Sequence, residues 1–396
     1  MRILLAQNMY YLPSHGGANK SNRMIVEQLT RRGHECHVVA PLTGRLPHVP
    51  VDALPDYLAA RGGKVIERSD RTLVYEYAGV VVHGVLRGSD LFRTINGVLG
   101  EAEFDWTLVP SDDPGMLVLS AVQRRTERIV YFVHTLQQLP FGERSFRASA
   151  AATAMIRKVA GLISVSEAAR EYVLREGGLD SELIYPDVYD AASVQHPDPS
   201  RQRYTTMINP SLYKGIDILL AVADTLPDQE FLAIESWGTT DSDRTELAAR
   251  PNIEVRSSVD DVEKIYGETK SLLMPSLWDE TFGYACVEAM LRGIPVLAAD
   301  TPGLREAKLG VDYLLPVQPI PSYSSSTPLA LPSGQPPRQD ATPWLSALRR
   351  LAGDPDHYRE VSTQSRAAAE SFVAKLDPDA VERYLLALDH GTGVAR

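Results

Sequence analysis

Cysteine is nearly absent from this 396-residue chain: Cys36 and Cys286 stand far apart, and neither belongs to a Cys-x-x-Cys pair. That excludes a disulfide framework or a cysteine-based zinc module and suits a reducing compartment. No uninterrupted apolar stretch approaches the roughly 18 residues of a membrane span. The opening Met-Arg-Ile-Leu-Leu-Ala-Gln-Asn holds only a short strand core, too brief for the apolar region of a signal peptide. These absences predict a cytoplasmic protein and leave peripheral membrane contact open. Dense Lys/Arg runs are also missing, and the formal net charge is −11, so nucleic-acid binding lacks its electrostatic footprint. A local cationic pocket for a phosphorylated small molecule is still compatible with that charge. The full Gly-x-Gly-x-x-Gly spacing is lacking and no acidic residue closes the second strand, which speaks against NAD.

What is present is an ordinary globular composition, 44% hydrophobic and 23% charged, in a chain long enough for two domains. Short apolar runs alternate with helical patterns, the signature of βαβ units and parallel sheets. Strands are expected at 2–6, 35–41, 73–77, 106–110, 129–133 and 162–165. The pattern restarts at 204–209, 230–235, 253–256, 272–275, 295–299 and 313–316. Between the halves, Pro186 to Arg203 is poor in apolar residues and reads as the hinge. Gln318 to Thr342, with six prolines and a Ser triplet, reads as a long surface loop or partly disordered insertion. Two helices with apolar faces are expected over 355–390.

Four constellations lie at strand-to-helix junctions, where ligands of open α/β sheets bind. His15-Gly16-Gly17-Ala18-Asn19-Lys20 follows the first strand; its glycines permit close backbone approach, and the helix-opening amides favour an anion. A tight turn that binds nothing is an equal reading of those residues alone. Lys214-Gly215 follows the strand at 204–209 and joins a point charge to helix-dipole amides, as a diphosphate cradle does. Glu280 and Glu288 enclose seven residues with Phe282-Gly283-Tyr284 between them; carboxylates accept from sugar hydroxyls, and amides at Gly283 can donate to phosphate. An ordinary helix carrying two acids fits that spacing as well. His134 ends the strand 129–133, placed for a cleft or simply satisfied at a domain surface. No Asp-x-Asp-type metal site is convincing, and Asp112-Asp113 read as loop acids.

Assembled, these residues resemble the glycosyltransferase family 4 branch of the GT-B fold over nearly the whole chain. Gly16-Gly17 falls on the family's glycine loop and His134 on its histidine beside the transferred sugar. Ser164-Val165-Ser166-Glu167 falls on a segment preceding a helix late in the first domain. Lys214-Gly215 aligns with the phosphate-binding Lys-Gly, and Glu280 to Glu288 is the family's E-x7-E motif, continued by Ala289-Met290 and Gly293-Ile294-Pro295. The resemblance implies an α/β fold of two Rossmann-like domains facing across a cleft, 1–186 on the acceptor side and 204–372 binding the nucleotide-sugar. A tail helix within 373–396 would cross back to the first domain.

The same resemblance implies a retaining, metal-independent glycosyl transfer needing no cofactor, from a nucleotide-diphosphate sugar to a small-molecule acceptor (a specialised metabolite or thiol) or a lipid-linked one. His134 and Glu280 would be catalytic. Gly16, Gly17, Lys214, Gly215, Phe282, Gly283, Tyr284 and Glu288 would bind donor. The family's arginine ahead of the lysine is missing; Ile208-Asn209-Pro210-Ser211 stands there, so Asn209 and Ser211 are expected to supply weaker donors. A sugar-nucleotide epimerase or hydrolase on the same fold is the alternative enzyme, and a non-catalytic binding subunit the alternative outside enzymes. Donor base, sugar, acceptor and oligomeric state are not legible in these residues.

Overall fold

The computed structural model describes residues 1–14, 16–44, 48–189, 193–259, 261–324 and 333–391, so His15 and the stretch 325–332 of the Pro-rich segment lie outside the described residues. The chain forms two compact units. One comprises Met1–Val188 together with the chain from Asp377 onward; the other holds Tyr189–Tyr323 and Ser333–Leu376.

The first unit carries β1 (Arg2–Ala6), β2 (Glu35–Pro41), β3 (Lys64–Arg68), β4 (Thr72–Tyr77), β5 (Val80–Val85), β6 (Trp106–Pro110), β7 (Ile129–Val133), β8 (Gly161–Ser164) and β9 (Glu182–Leu183) in one sheet. Its order is β3-β4-β5-β2-β1-β6-β7-β8-β9. All neighbours are parallel except β3 with β4 and β4 with β5. Side chains alternate across a strand, so a sheet covered on both faces reads as a continuous apolar run. Accordingly, Ile3 and Leu5 enter one core cluster while Leu4 and Ala6 enter another.

The antiparallel ribbon corrects the sequence reading, which found only β4 of its three strands. All five residues of β3 are exposed, so no apolar alternation marks it. The β4–β5 turn is Ala78-Gly79 with φ of 52° and 78°, a geometry that usually advertises itself with Asn or Asp.

The second unit holds β10 (Tyr204–Ile208), β11 (Phe231–Glu235), β12 (Ile253–Ser257), β13 (Thr269–Met274), β14 (Val296–Ala299) and β15 (Leu314–Leu315). They form an all-parallel sheet in the order β12-β11-β10-β13-β14-β15. Strand order reverses direction beside β1 and β6 in the first sheet and beside β10 and β13 in the second. Such switch points open a crevice at the strands' carboxyl ends.

The described ends of the Pro-rich segment are tied down rather than loose: Ile320 is buried and its N–H donates to the Leu277 carbonyl at 2.8 Å. Gln339 clasps the Gln318 backbone through both its amide nitrogen and oxygen, each at 2.9 Å. The final helix, Ala380–Asp389, belongs to the first unit, where Val381 and Leu385 join the core cluster of Ile3 and Leu5. The Leu162 N–H donates to Tyr384 Oη at 3.2 Å, and Arg128 pairs with Asp389. Among the described residues no helix is long and apolar enough to cross a membrane.

Candidate active site: two strand-end clusters

In the second unit the loops leaving β10 and β13 are locked together. Asn209 takes a left-handed φ of 61° directly after β10, and a short 3-10 turn, Leu212–Lys214, leads to Gly215. Gly215 has φ 78° and opens the helix Ile216–Thr225. A Cβ there would lie 2.2 Å from the Pro275 carbonyl oxygen, so glycine is required twice over. The Leu277 N–H donates to the Tyr213 carbonyl at 2.9 Å, a second rung between the loops.

This frame brings Lys214 against Glu280, 66 residues away, and their side chains form an ion pair at 18% and 15% exposure. Ser276 Oγ donates to the same carboxylate oxygen at 2.5 Å. Burial pushes the Glu280 carboxyl up, but the Lys214 ammonium, aided by Ser276 and Trp278, outweighs it and holds the group below the usual carboxylate range. The ammonium also sits 4.5 Å from the Trp278 ring and 5.9 Å from Trp237. Tyr213 stacks on Trp237 at 6.2 Å and leans on Trp278 at 5.7 Å, completing an aromatic wall.

Glu280 is also fixed from behind. The short helix Pro302–Ala307 presses so close that a Cβ on Gly303 would be 2.1 Å from the Glu280 carbonyl oxygen. Gly283, at φ 103°, opens the helix Tyr284–Leu291 without any side-chain cap. Glu288, on that helix, engages a different partner: it accepts from Tyr266 Oη at 3.0 Å. Burial first, and Glu288 second, push the Tyr266 phenol well up. Arg292 lies over the Tyr266 ring and pairs with Glu263, so the Glu288 side of the helix is braced by its own network.

The remaining expected donor-side residues turn inward. Phe282 is buried and stacks on Phe372 at 5.6 Å, with Tyr284 tilted against it at 5.7 Å. Asn209 and Ser211 are enclosed at 4% and 0% exposure. The Asn209 carboxamide oxygen accepts from the Gly238 N–H at 2.9 Å, whereas its Nδ2 and the Ser211 hydroxyl are buried with no hydrogen-bond partner among the described residues.

In the first unit, Gly16 adopts φ 83° and opens the helix Gly17–Arg31, again with no side-chain cap and no acid in its first turn. Its leading amides therefore keep the anion preference of an uncapped N-terminus. His134, at the end of β7, is 6% exposed. The Ser111 hydroxyl, at the end of β6, accepts from the N–H groups of His134 and Thr135 at 2.9 and 3.0 Å. Asn22 Nδ2 donates to Gln7 Oε1 at 3.2 Å, which turns Asn22 Oδ1 toward His134 Nε2 at 2.8 Å. With that amide orientation, Nε2 carries the ring proton. Burial drives the imidazole down to about 3, so it is neutral at physiological pH.

Asp112 and Asp113 do separate jobs. Asp113 accepts from the N–H groups of Val118 and Leu119, both at 2.9 Å, and caps the helix Leu117–Gln123; burial raises it to about 6. Asp112 accepts from Thr135 Oγ1 at 2.7 Å. Among the described residues no group of three or more His, Cys, Asp or Glu could hold a metal ion.

Sequence reasoning missed Ser276, Trp278, Tyr213 and Gly303 around Glu280, and Gln7, Asn22 and Ser111 around His134. Only the position of Gln7, Ser111 and Ser276 just past a strand end could have pointed to any of them.

Two α/β units built on mainly parallel sheets are the architecture of the GT-B glycosyltransferases. A family model described as Glycosyltransferase Family 4 matches residues 15–186, and one described as Glycosyl transferases group 1 matches residues 204–320. The phosphatidyl-myo-inositol mannosyltransferase of Mycolicibacterium smegmatis is 28% identical over 311 residues, covering 73% of this chain and 74% of that protein. Its counterpart in Mycobacterium tuberculosis is 28% identical over 324 residues, 77% of this chain and 80% of that one. Anabaena HepE, solved in complex with UDP and glucose, superposes with a TM-score of 0.65 at 16% identity, covering 99% of this chain and 100% of its own. Sucrose-phosphate synthase from Thermosynechococcus elongatus does so with 0.63 at 17% identity, covering 98% of each. This chain belongs to the family 4-like glycosyltransferases.

Proposed function

We propose that the protein transfers a sugar, with retention of anomeric configuration and without a metal ion, from a nucleotide-diphosphate sugar to a hydroxyl of a small-molecule or lipid-linked acceptor. The observation that carries this reading is the Lys214–Glu280 pair at the β10/β13 switch point. A cation for phosphate and a carboxylate for sugar hydroxyls stand side by side, where α/β sheets bind ligands. The helices opening at Gly215 and Gly283 carry no side-chain cap, and their amino-terminal dipoles would stabilise a developing negative charge on the leaving diphosphate. Lys214 and those dipoles take the part that a divalent ion plays in other transferases. Relatives named as mannosyltransferases of a phosphatidyl-inositol, and a fold neighbour solved with UDP and glucose, support both the donor and a polyol acceptor.

In this reading Glu280 binds donor-sugar hydroxyls, Glu288 the ribose, and His134 offers a neutral polar contact to the transferred sugar. The test is a thermal-stabilisation screen of UDP-, GDP-, dTDP- and ADP-sugars, followed by transfer assays with the donor that binds. Chelator-insensitive transfer with an unchanged anomeric configuration is expected, and Lys214→Ala should remove it. Nucleotide release at full rate with no acceptor present would convert the reading to a hydrolase or epimerase.

A further inference from the structure

Glu280 and Lys214 are each other's partners before any ligand arrives, and this sets what may displace them. The Lys214 ammonium faces one carboxylate and two indole rings. The Glu280 carboxylate has Lys214 and Ser276 as its close donors, at 15% exposure. A diphosphate competes with Glu280 for the ammonium, because it carries more than one negative charge. Glu280 would then be left largely enclosed with no cation and only the Ser276 hydroxyl, aided by Trp278, and a carboxylate stripped of its ion-pair partner in such a place is unfavourable. Sugar hydroxyls donating to Glu280 restore what Lys214 withdraws.

We propose that Glu280 makes this site discriminate for the intact nucleotide-sugar and against the nucleoside diphosphate left after transfer, through competition for Lys214. The inference rests on the donor site assigned above. Its consequence is that the carboxylate that holds the donor also helps expel the product.

The experiment measures, by calorimetry, the Kd of UDP against UDP-glucose and of GDP against GDP-mannose, in the wild type, Glu280→Gln and Ser276→Ala. In Glu280→Gln the nucleoside diphosphate should bind about tenfold tighter than in the wild type, while the intact sugar-nucleotide gains nothing or weakens. Ser276→Ala should move the ratio the opposite way, because a Glu280 with fewer donors holds Lys214 harder; a general loosening of the site would shift both variants in one direction. Unchanged or weaker diphosphate binding in a folded Glu280→Gln overturns the proposal while leaving the donor site standing. If Glu280→Gln does not fold, an unmoved ratio in Ser276→Ala overturns it. A wild type that binds none of the UDP-, GDP-, dTDP- and ADP-sugars overturns the donor-site reading and this inference together.

Discussion

The two strand-end clusters occupy equivalent places in their sheets but are made of different electrostatic material. Beside β10 and β13 the central pair is charged, Lys214 with Glu280, bedded on indole rings. Beside β1 and β6 the network is neutral: Gln7, Asn22, Ser111 and a His134 held uncharged by burial. The same topology therefore offers a crevice, and the side chains at the strand ends decide what it handles. A diphosphate needs compensation of charge, which only the second cluster carries at its centre. The first cluster holds directed neutral donors and acceptors at its centre, with the adjacent carboxylates committed elsewhere, Asp112 to Thr135 and Asp113 to the helix Leu117–Gln123.

The sharpest way to break this contrast is to remove the charge from the second cluster. Lys214→Ala should lower kcat/KM for transfer by roughly a thousandfold or more, the scale of losing a leading charge-stabilising group. It should also destabilise the fold by about 3 kcal/mol, because Glu280 is left enclosed and unpaired. Lys214→Met combined with Glu280→Gln should recover most of that stability in denaturant melts while transfer stays absent. If the double variant is no more stable than Lys214→Ala, the partly buried Lys214–Glu280 pair does not carry that stability.

Next in size is the neutral cluster. His134→Ala should cost transfer about a hundredfold, the lower end of what a positioned polar group supplies, with Gln rescuing part through the Asn22 contact. Because burial depresses His134 to about 3, its neutral form contributes stability above the unfolded-state value of about 6.5, and that stability is lost as pH falls through this window toward 3. At full extent the loss is roughly 4–5 kcal/mol. Acid unfolding of His134→Gln should therefore be shallower than that of the wild type between pH 6.5 and 3. A histidine-dependent inflection in the rate between pH 6 and 8 would show that the imidazole is not held neutral.

These contrasts were only partly legible in the amino-acid order. Lys214, Glu280 and His134 could be placed at strand ends because apolar runs such as Ile129–Val133 are continuous and their flanks are not. Their environments were not, because these depend on residues distant in sequence. Glu280 is paired across 66 residues, and the tautomer of His134 is set by Asn22, hidden on a helix 112 residues earlier. The expectation that Asn209 and Ser211 act as donors did not include the backbone N–H of Gly238, which takes the Asn209 carboxamide oxygen and leaves Nδ2 and the Ser211 hydroxyl as the donor atoms. The β3–β5 ribbon escaped because a fully exposed strand has no apolar period to read.

A smaller effect should come from the glycine that locks the two loops. Gly215→Ala places a Cβ against the Pro275 carbonyl at a backbone conformation unfavourable to any other residue, which should cost about 2–3 kcal/mol in stability. Its effect on donor affinity should exceed that of the same change at Gly178, whose left-handed φ of 58° ends a helix with nothing near its missing Cβ. Equal effects of the two substitutions would mean that the β10–β13 contact does not position Lys214.

The smallest expected change tests whether the indole bed matters to the charged cluster at all. Trp278→Leu keeps an apolar wall of reduced size but removes the aromatic face 4.5 Å from the Lys214 ammonium. A partly desolvated cation–π contact contributes about 1 kcal/mol, so donor KM should rise roughly fivefold while kcat changes little. Trp278→Phe should retain about half of the contact's effect, since a smaller aromatic face still attracts the cation. If Leu and Phe behave alike, the ammonium is held by Glu280 alone and the aromatic wall is packing; if both abolish transfer, Trp278 shapes Glu280 as much as Lys214.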